Sequence, residues 1–200
     1  MKLDKPWKQL TFWASLTLIL AFALNTVTIW ALPHIITDKV SDDLLESSGT
    51  PANQFTKGVI RTAVGAPSIE GVPTKMDTVV MDCPDHIVQF CKYDISKKPL
   101  HICAPVPLDI APYWSISFYA HNTDNFWVIN DQDVKAKGLT QLNIILVKKG
   151  SSYERQGDEV VVYSPSEVGI ILIRTIIPNR YSDKEAMIGL LGYKAVTSWE

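Results

Sequence analysis

The residues of this chain with chemistry to offer are few and scattered: His86, His101 and His121, the cysteines Cys83, Cys91 and Cys103, and Arg174 inside an apolar run. His121 belongs to the cluster His121-Asn122-Thr123-Asp124-Asn125, the most polar stretch in an aromatic neighbourhood that runs from Tyr113 and Trp114 to Phe126 and Trp127. Aromatic walls with a few polar groups at one end are the pattern of a small-ligand pocket, and equally of an ordinary core with a polar turn. On the first reading Tyr113, Trp114, His121, Asp124, Asn125 and Arg174 are the candidate ligand-binding residues. A metal would need His86, His101 and His121 to converge with Asp85 and Asp124, but their spacing matches no ligand motif, so neither metal nor cofactor is assigned. The catalytic alternative is a metal-assisted envelope enzyme using His101, His121 and Asp124.

Arg174 interrupts Gly169-Ile-Ile-Leu-Ile-Arg-Thr-Ile-Ile. A guanidinium there either faces outward, pairs with a carboxylate such as Asp94, Asp124 or Asp131, or binds an anion, because an unpaired buried charge is too costly. Cys91 and Cys103 are each six positions from Lys97. A hairpin closed there would set them opposite one another, within reach of a disulfide; two buried free thiols are the other reading. With three cysteines, at most one such bond can form. No Gly-x-Ser-x-Gly, Cys-x-x-Cys or phosphate-cradling glycine loop occurs, and no catalytic residue is assigned.

The elements that must position these groups are mostly strands. Trp114, Ile116 and Phe118 alternate with Tyr113, Ser115, Ser117 and Tyr119, the period of two of a half-buried strand. Further strand-like runs are Thr78 to Met81, His86 to Asp94, Leu100 to Ala104, Phe126 to Ile129, Leu142 to Lys148, Glu159 to Ser164 and Gly169 to Ile177. Turn formers such as Ser96-Lys97-Lys98-Pro99 separate them. Short strands without intervening helices predict a mainly β domain, an antiparallel sandwich or barrel, over residues 77–200. One helix is expected in it, capped by Ser182, with Asp183 and Glu185 in its first turn, and ended by Gly192.

Ahead of the domain, residues 10–32 contain no ionisable side chain. As a helix they would cover roughly 35 Å, enough to cross a bilayer. Lys2, Lys5 and Lys8 in the nine-residue leader predict a cytoplasmic N-terminus, with Trp7, Trp13 and Trp30 at the interfaces. The run is longer than a cleavable signal core, although Ala21-Phe22-Ala23 resembles a cleavage site. The expected organisation is therefore an inner-membrane anchor with an extracytoplasmic, periplasmic domain. Residues 33–76 then form a linker with a short amphipathic helix over His34 to Ser48 and a Gly- and Pro-rich entry. A net charge of -2 with no basic stripe excludes nucleic acid as a partner. The partners expected are the bilayer and either a small ligand or a protein of the cell envelope, including one whose β assembly this domain would complete.

Three blocks carry a family resemblance: PDHIVQFCKYDISKKPLHICAPVP (Pro84 to Pro107), YWSISFYAHNTDNFWVIND (Tyr113 to Asp131) and GDEVVVYSPSEVGIILIRTIIP (Gly157 to Pro178). Together they resemble the bacterial domain-of-unknown-function family numbered 1254, in a short, membrane-anchored form. The chain departs from the family pattern at Ala120-His121, where an Asp commonly follows the tyrosine, and at His86-Ile87. The resemblance implies a mainly β extracytoplasmic domain and no particular chemistry.

Overall fold

The computed structural model describes residues 6–62, 74–76, 86–177 and 184–199. Its first element, α1 (Pro6–Ser48), is 43 residues long and carries Pro33 in its interior. It contains one segment long and apolar enough to cross a membrane, and none of that segment is buried against the domain. The amphipathic helix expected after residue 33 is present, but it is the second half of the same helix. Proline lacks the N–H that would bond the carbonyl four residues back, so the helix passes Pro33 with one bond fewer. It ends where the sequence said it should, at Gly49, whose φ of +62° suits glycine.

The domain is built from two open sheets. Sheet A contains β1 (Val59–Thr62), β2 (Thr74–Met76), β3 (His86–Asp94), β5 (Trp114–Ala120), β6 (Asn125–Asn130) and β9 (Val168–Ile176), in the order β2-β1-β3-β9-β5-β6. Sheet B contains β4 (Leu100–Pro105), β7 (Gln141–Lys148), β8 (Val160–Ser164) and β10 (Val196–Trp199), in the order β10-β4-β7-β8. Most pairings are antiparallel, as expected, but β1 with β2 and β7 with β8 are parallel. The result is a sandwich with free edges and not a closed barrel.

The core lies between the sheets. It gathers the alternating residues Trp114, Ile116 and Phe118 of β5, Cys91 and Tyr93 of β3, and Ile171 and Ile173 of β9. Leu100, Ile102, Leu142, Ile144 and Leu146 meet them from sheet B. Each large aliphatic or aromatic side chain so buried contributes about 1.5–3 kcal/mol of hydrophobic transfer. Gln89 ties the C-terminal segment down, donating through Nε2 to the Tyr193 carbonyl at 2.5 Å and accepting from the Ala195 amide at 3.2 Å.

Several expectations need correction. The turn at Ser96 to Pro99 does not close a hairpin: β3 pairs with β1 and β9, whereas β4 pairs with β7 and β10 in the other sheet. Cys91 therefore stands opposite Ile171 and Cys103 opposite Asn143, and both are free thiols. Helix α2 (Asp131–Ala136) was not anticipated. It is begun by Asn130, whose side chain accepts from the amides of Gln132 and Asp133 while Asp133 returns a bond to the Asn130 amide. The C-terminal helix, α3 (Lys184–Gly192), has Glu185 in its first turn and stops at Gly192. Its proposed cap, Ser182, together with Asp183 and the strand at 78–81, lies outside the described residues.

Candidate functional site

The polar turn found in the sequence is the place where α1 meets the domain. Alternation brings β5 to its end at Ala120, and the chain reverses through residues 121–124, with the Ala120 amide bonding the Asp124 carbonyl at 2.9 Å and the Thr123 amide bonding Ala120 at 2.9 Å. Thr123 sits at φ +70°. For a β-branched residue this is a strained conformation of the kind that recurs at binding and catalytic sites. Asp124 is occupied with the turn itself, accepting from Asn122 Nδ2 at 2.6 Å, and Asn125 opens β6 on the exposed side.

His121 reaches across to the helix, its Nε2 lying 2.9 Å from Asp38 Oδ1. Its ring stands edge-on to that of His34, centroids 4.8 Å apart, and His34 Nδ1 is 2.9 Å from the Trp30 carbonyl. Beside them Lys92 donates to Asp42 at 2.6 Å and approaches Asp38 at 3.9 Å. These contacts hold the second half of α1 across the outer face of sheet A, where Thr37 and Ser41 become buried. The acidic residues are half exposed or more, so each ion pair contributes little, on the order of 0–1 kcal/mol.

Two cavities flank this contact. The larger, about 970 Å³ and open, is lined from α1 by Phe22, Asn25, Ile29, Trp30 and His34, and from the domain by residues 120–124 with Pro165 and Ser166. The smaller, about 210 Å³, is lined by Thr37 of α1 and by Tyr119, Ala120, Thr123, Ile170, Leu172 and Arg174. Ala120 and Thr123 border both.

Of the residues singled out from the sequence, His121, Asp124 and Arg174 are brought to this junction. Arg174 projects on the side of β9 away from the sandwich core and makes no ion pair with Asp94, Asp124 or Asp131 among the described residues. Trp114 is 1% exposed and packs in the core. Tyr113 lies at the far end of β5 from His121, its carbonyl accepting from the Ile176 amide. The metal-enzyme alternative loses its geometry. His101 lies on sheet B and His121 on a turn of sheet A, while His86 begins β3 at the opposite end from that turn, and no group of three metal-ligating side chains occurs among the described residues.

Burial pushes the Cys91 thiol far above the ordinary range, so it is neither a nucleophile nor a ready partner for oxidation. Tyr93 is likewise shifted up by burial, against the opposing effect of hydroxyl bonds from Ser164 and Ser166. The Asp94 carboxyl is held below its usual value by the hydroxyl and the amide of Ser96. None of these three lines the junction. The residues that α1 contributes to the lining of these cavities, among them Asn25, Trp30, His34 and Thr37, were not among the ligand-binding candidates read from the sequence. The signals present were Asn25 inside an apolar run and Trp30 near its end.

No curated protein matches the sequence. The fold resembles the crystal structure of a protein from Vibrio parahaemolyticus, with a TM-score of 0.56 and 13% identity over 86% of this chain, which spans 37% of that protein. An uncharacterized protein from Burkholderia cenocepacia aligns over 60% of this chain and 31% of its own length, with 10% identity and a TM-score of 0.39. The sequence profile of the family described as proteins of unknown function, DUF1254, matches residues 68–189, more than half of the chain, and the chain belongs to that family.

Proposed function

We propose that this is a single-pass inner-membrane protein that displays its β domain outside the cytoplasm and binds an amphiphilic small molecule where the helix meets the domain, without catalysis of its own. The observation that supports this most is the make-up of the 970 Å³ cleft: one wall is the apolar half of α1, the other the polar turn His121 to Asp124. A ligand entering it meets Phe22, Ile29 and Trp30 on one side and hydrogen-bonding groups on the other, the mixture that fixes an amphiphile's orientation. Trp30 and His34, at the end of the apolar run, suit the level where a bilayer gives way to water. The lysines before the run favour the cytoplasmic side for the N-terminus.

The test uses the full chain in nanodiscs that contain a diazirine-bearing phospholipid. Photolysis should label peptides holding residues 120–124 and 165–166 as well as the apolar helix, and labelling confined to the helix would refute a ligand cleft at the junction. In right-side-out spheroplasts, added protease should remove the domain; protection until lysis would overturn the topology.

A further inference from the structure

We infer that the smaller cavity between α1 and sheet A is an anion subsite, built to hold the carboxylate of a small monocarboxylic acid with an apolar tail. Two polar groups in it lack the partners their surroundings demand. Thr37 is 4% exposed, and its Oγ1 is buried without a hydrogen-bond partner among the described residues. The other four threonines of α1, at positions 11, 17, 26 and 28, all donate to a carbonyl three or four residues back. Thr37 forgoes that bond and faces the cavity instead, at a cost of about 1–3 kcal/mol for a buried polar group left unsatisfied.

Arg174 lines the same cavity, half buried, and makes no hydrogen bond or ion pair among the described residues. A guanidinium offers a planar fork of donors matched to a carboxylate, and in partly apolar surroundings that pairing is strong. The remaining walls, Ile170, Leu172, Ala120 and the ring of Tyr119, offer little to a multiply charged, strongly hydrated anion and suit a short hydrocarbon tail. A volume of about 210 Å³ is roughly seven times the ~30 Å³ a water occupies in the liquid, room for about seven non-hydrogen atoms. In the bound state the carboxylate would accept from the Arg174 fork and from the Thr37 hydroxyl, satisfying both. The strained Thr123 forms the boundary with the larger cleft.

This deepens the amphiphile reading, on which it rests for the apolar tail, by naming the head group. The probe is pentanoate, titrated by isothermal calorimetry into the full chain in nanodiscs, with 1-pentanol and inorganic phosphate as comparisons. Saturable binding of pentanoate, at least tenfold tighter than either comparison, is expected. Arg174→Gln should weaken it at least tenfold and Thr37→Val severalfold. Leu172→Trp, which fills the cavity and leaves both polar groups in place, should abolish it. No saturable pentanoate binding, or binding by Arg174→Gln or Leu172→Trp as tight as by the unaltered chain, would overturn the subsite. Phosphate binding more tightly than pentanoate would overturn the choice of carboxylate. Pentanoate binding with photolabelling confined to the helix leaves the subsite standing and refutes the cleft, whereas the reverse pattern refutes the subsite alone.

Discussion

Sheet A has two faces that treat polar groups in opposite ways. On the inner face the Tyr93 hydroxyl, on a side chain with no exposure, lies 2.8 Å from Ser164 Oγ and 3.3 Å from the Tyr119 carbonyl. Ser164 donates to the Ser166 carbonyl, Ser166 donates to the Val168 carbonyl, and Ser166 accepts from the His121 amide. Every hydroxyl there is answered, and the network fastens β8 of one sheet to β3 and β9 of the other. On the outer face, under α1, Thr37 and Arg174 are left wanting and Thr123 is strained. A fold gains nothing in stability from such groups, so the contrast separates the part of the molecule that specifies the structure from the part available to a ligand.

The sharpest way to break this comparison is to damage the inner face. Trp114→Ala should lower the unfolding free energy by about 3–5 kcal/mol, read by denaturant titration, because it empties a filled site in the core. A loss below 1 kcal/mol would mean that the core is not the source of stability. Tyr93→Phe removes one hydroxyl from the satisfied network and should cost about 1–3 kcal/mol, with pentanoate affinity unchanged; a fall in affinity would show that the two faces are coupled through Ser166. On the outer face the sign should reverse. Thr123→Gly relieves a positive φ and should raise stability by about 1 kcal/mol while weakening pentanoate binding, measured by the same titrations. Lower stability would show that Thr123 is held by contacts whose loss outweighs the strain.

What was legible in the sequence follows the same division. Trp114, Ile116 and Phe118 announced their strand because core packing enforces a period of two, and the turn after Ala120 is marked by residues that favour turns. Gly49 marked a helix end because its φ of +62° is one that glycine adopts without strain, and Gly192 marked the last residue of α3 as a weak helix former. The hairpin between β3 and β4 failed because Ser96-Lys97-Lys98-Pro99 shows that the chain turns but not that it changes sheets. The partner of Cys91 is Ile171, eighty residues away, and no local pattern encodes that pairing. Helix α2 was missed for its length of six residues, although Asn130 and Asp133 carry its capping box in plain view. The anion subsite could not be read at all, since Thr37, Thr123 and Arg174 come from three distant segments, and what distinguishes Thr37 is a hydrogen bond it does not make.

Helix α1 passes Pro33 without a break and is clamped to sheet A by Asp38 and Asp42 before it ends at Ser48. Under the proposed topology the membrane helix therefore continues without a break as far as the domain. The sixteen residues from Pro33 to Ser48 rise about 24 Å at 1.5 Å each, yet this length serves as a splint and not a tether. Under that topology a tilt or roll of the helix within the bilayer would be passed on to the sandwich, so the angle of the membrane helix would bear on the orientation of the cleft mouth towards the lipid surface. A bilayer of different thickness, by changing helix tilt, would reorient the whole domain.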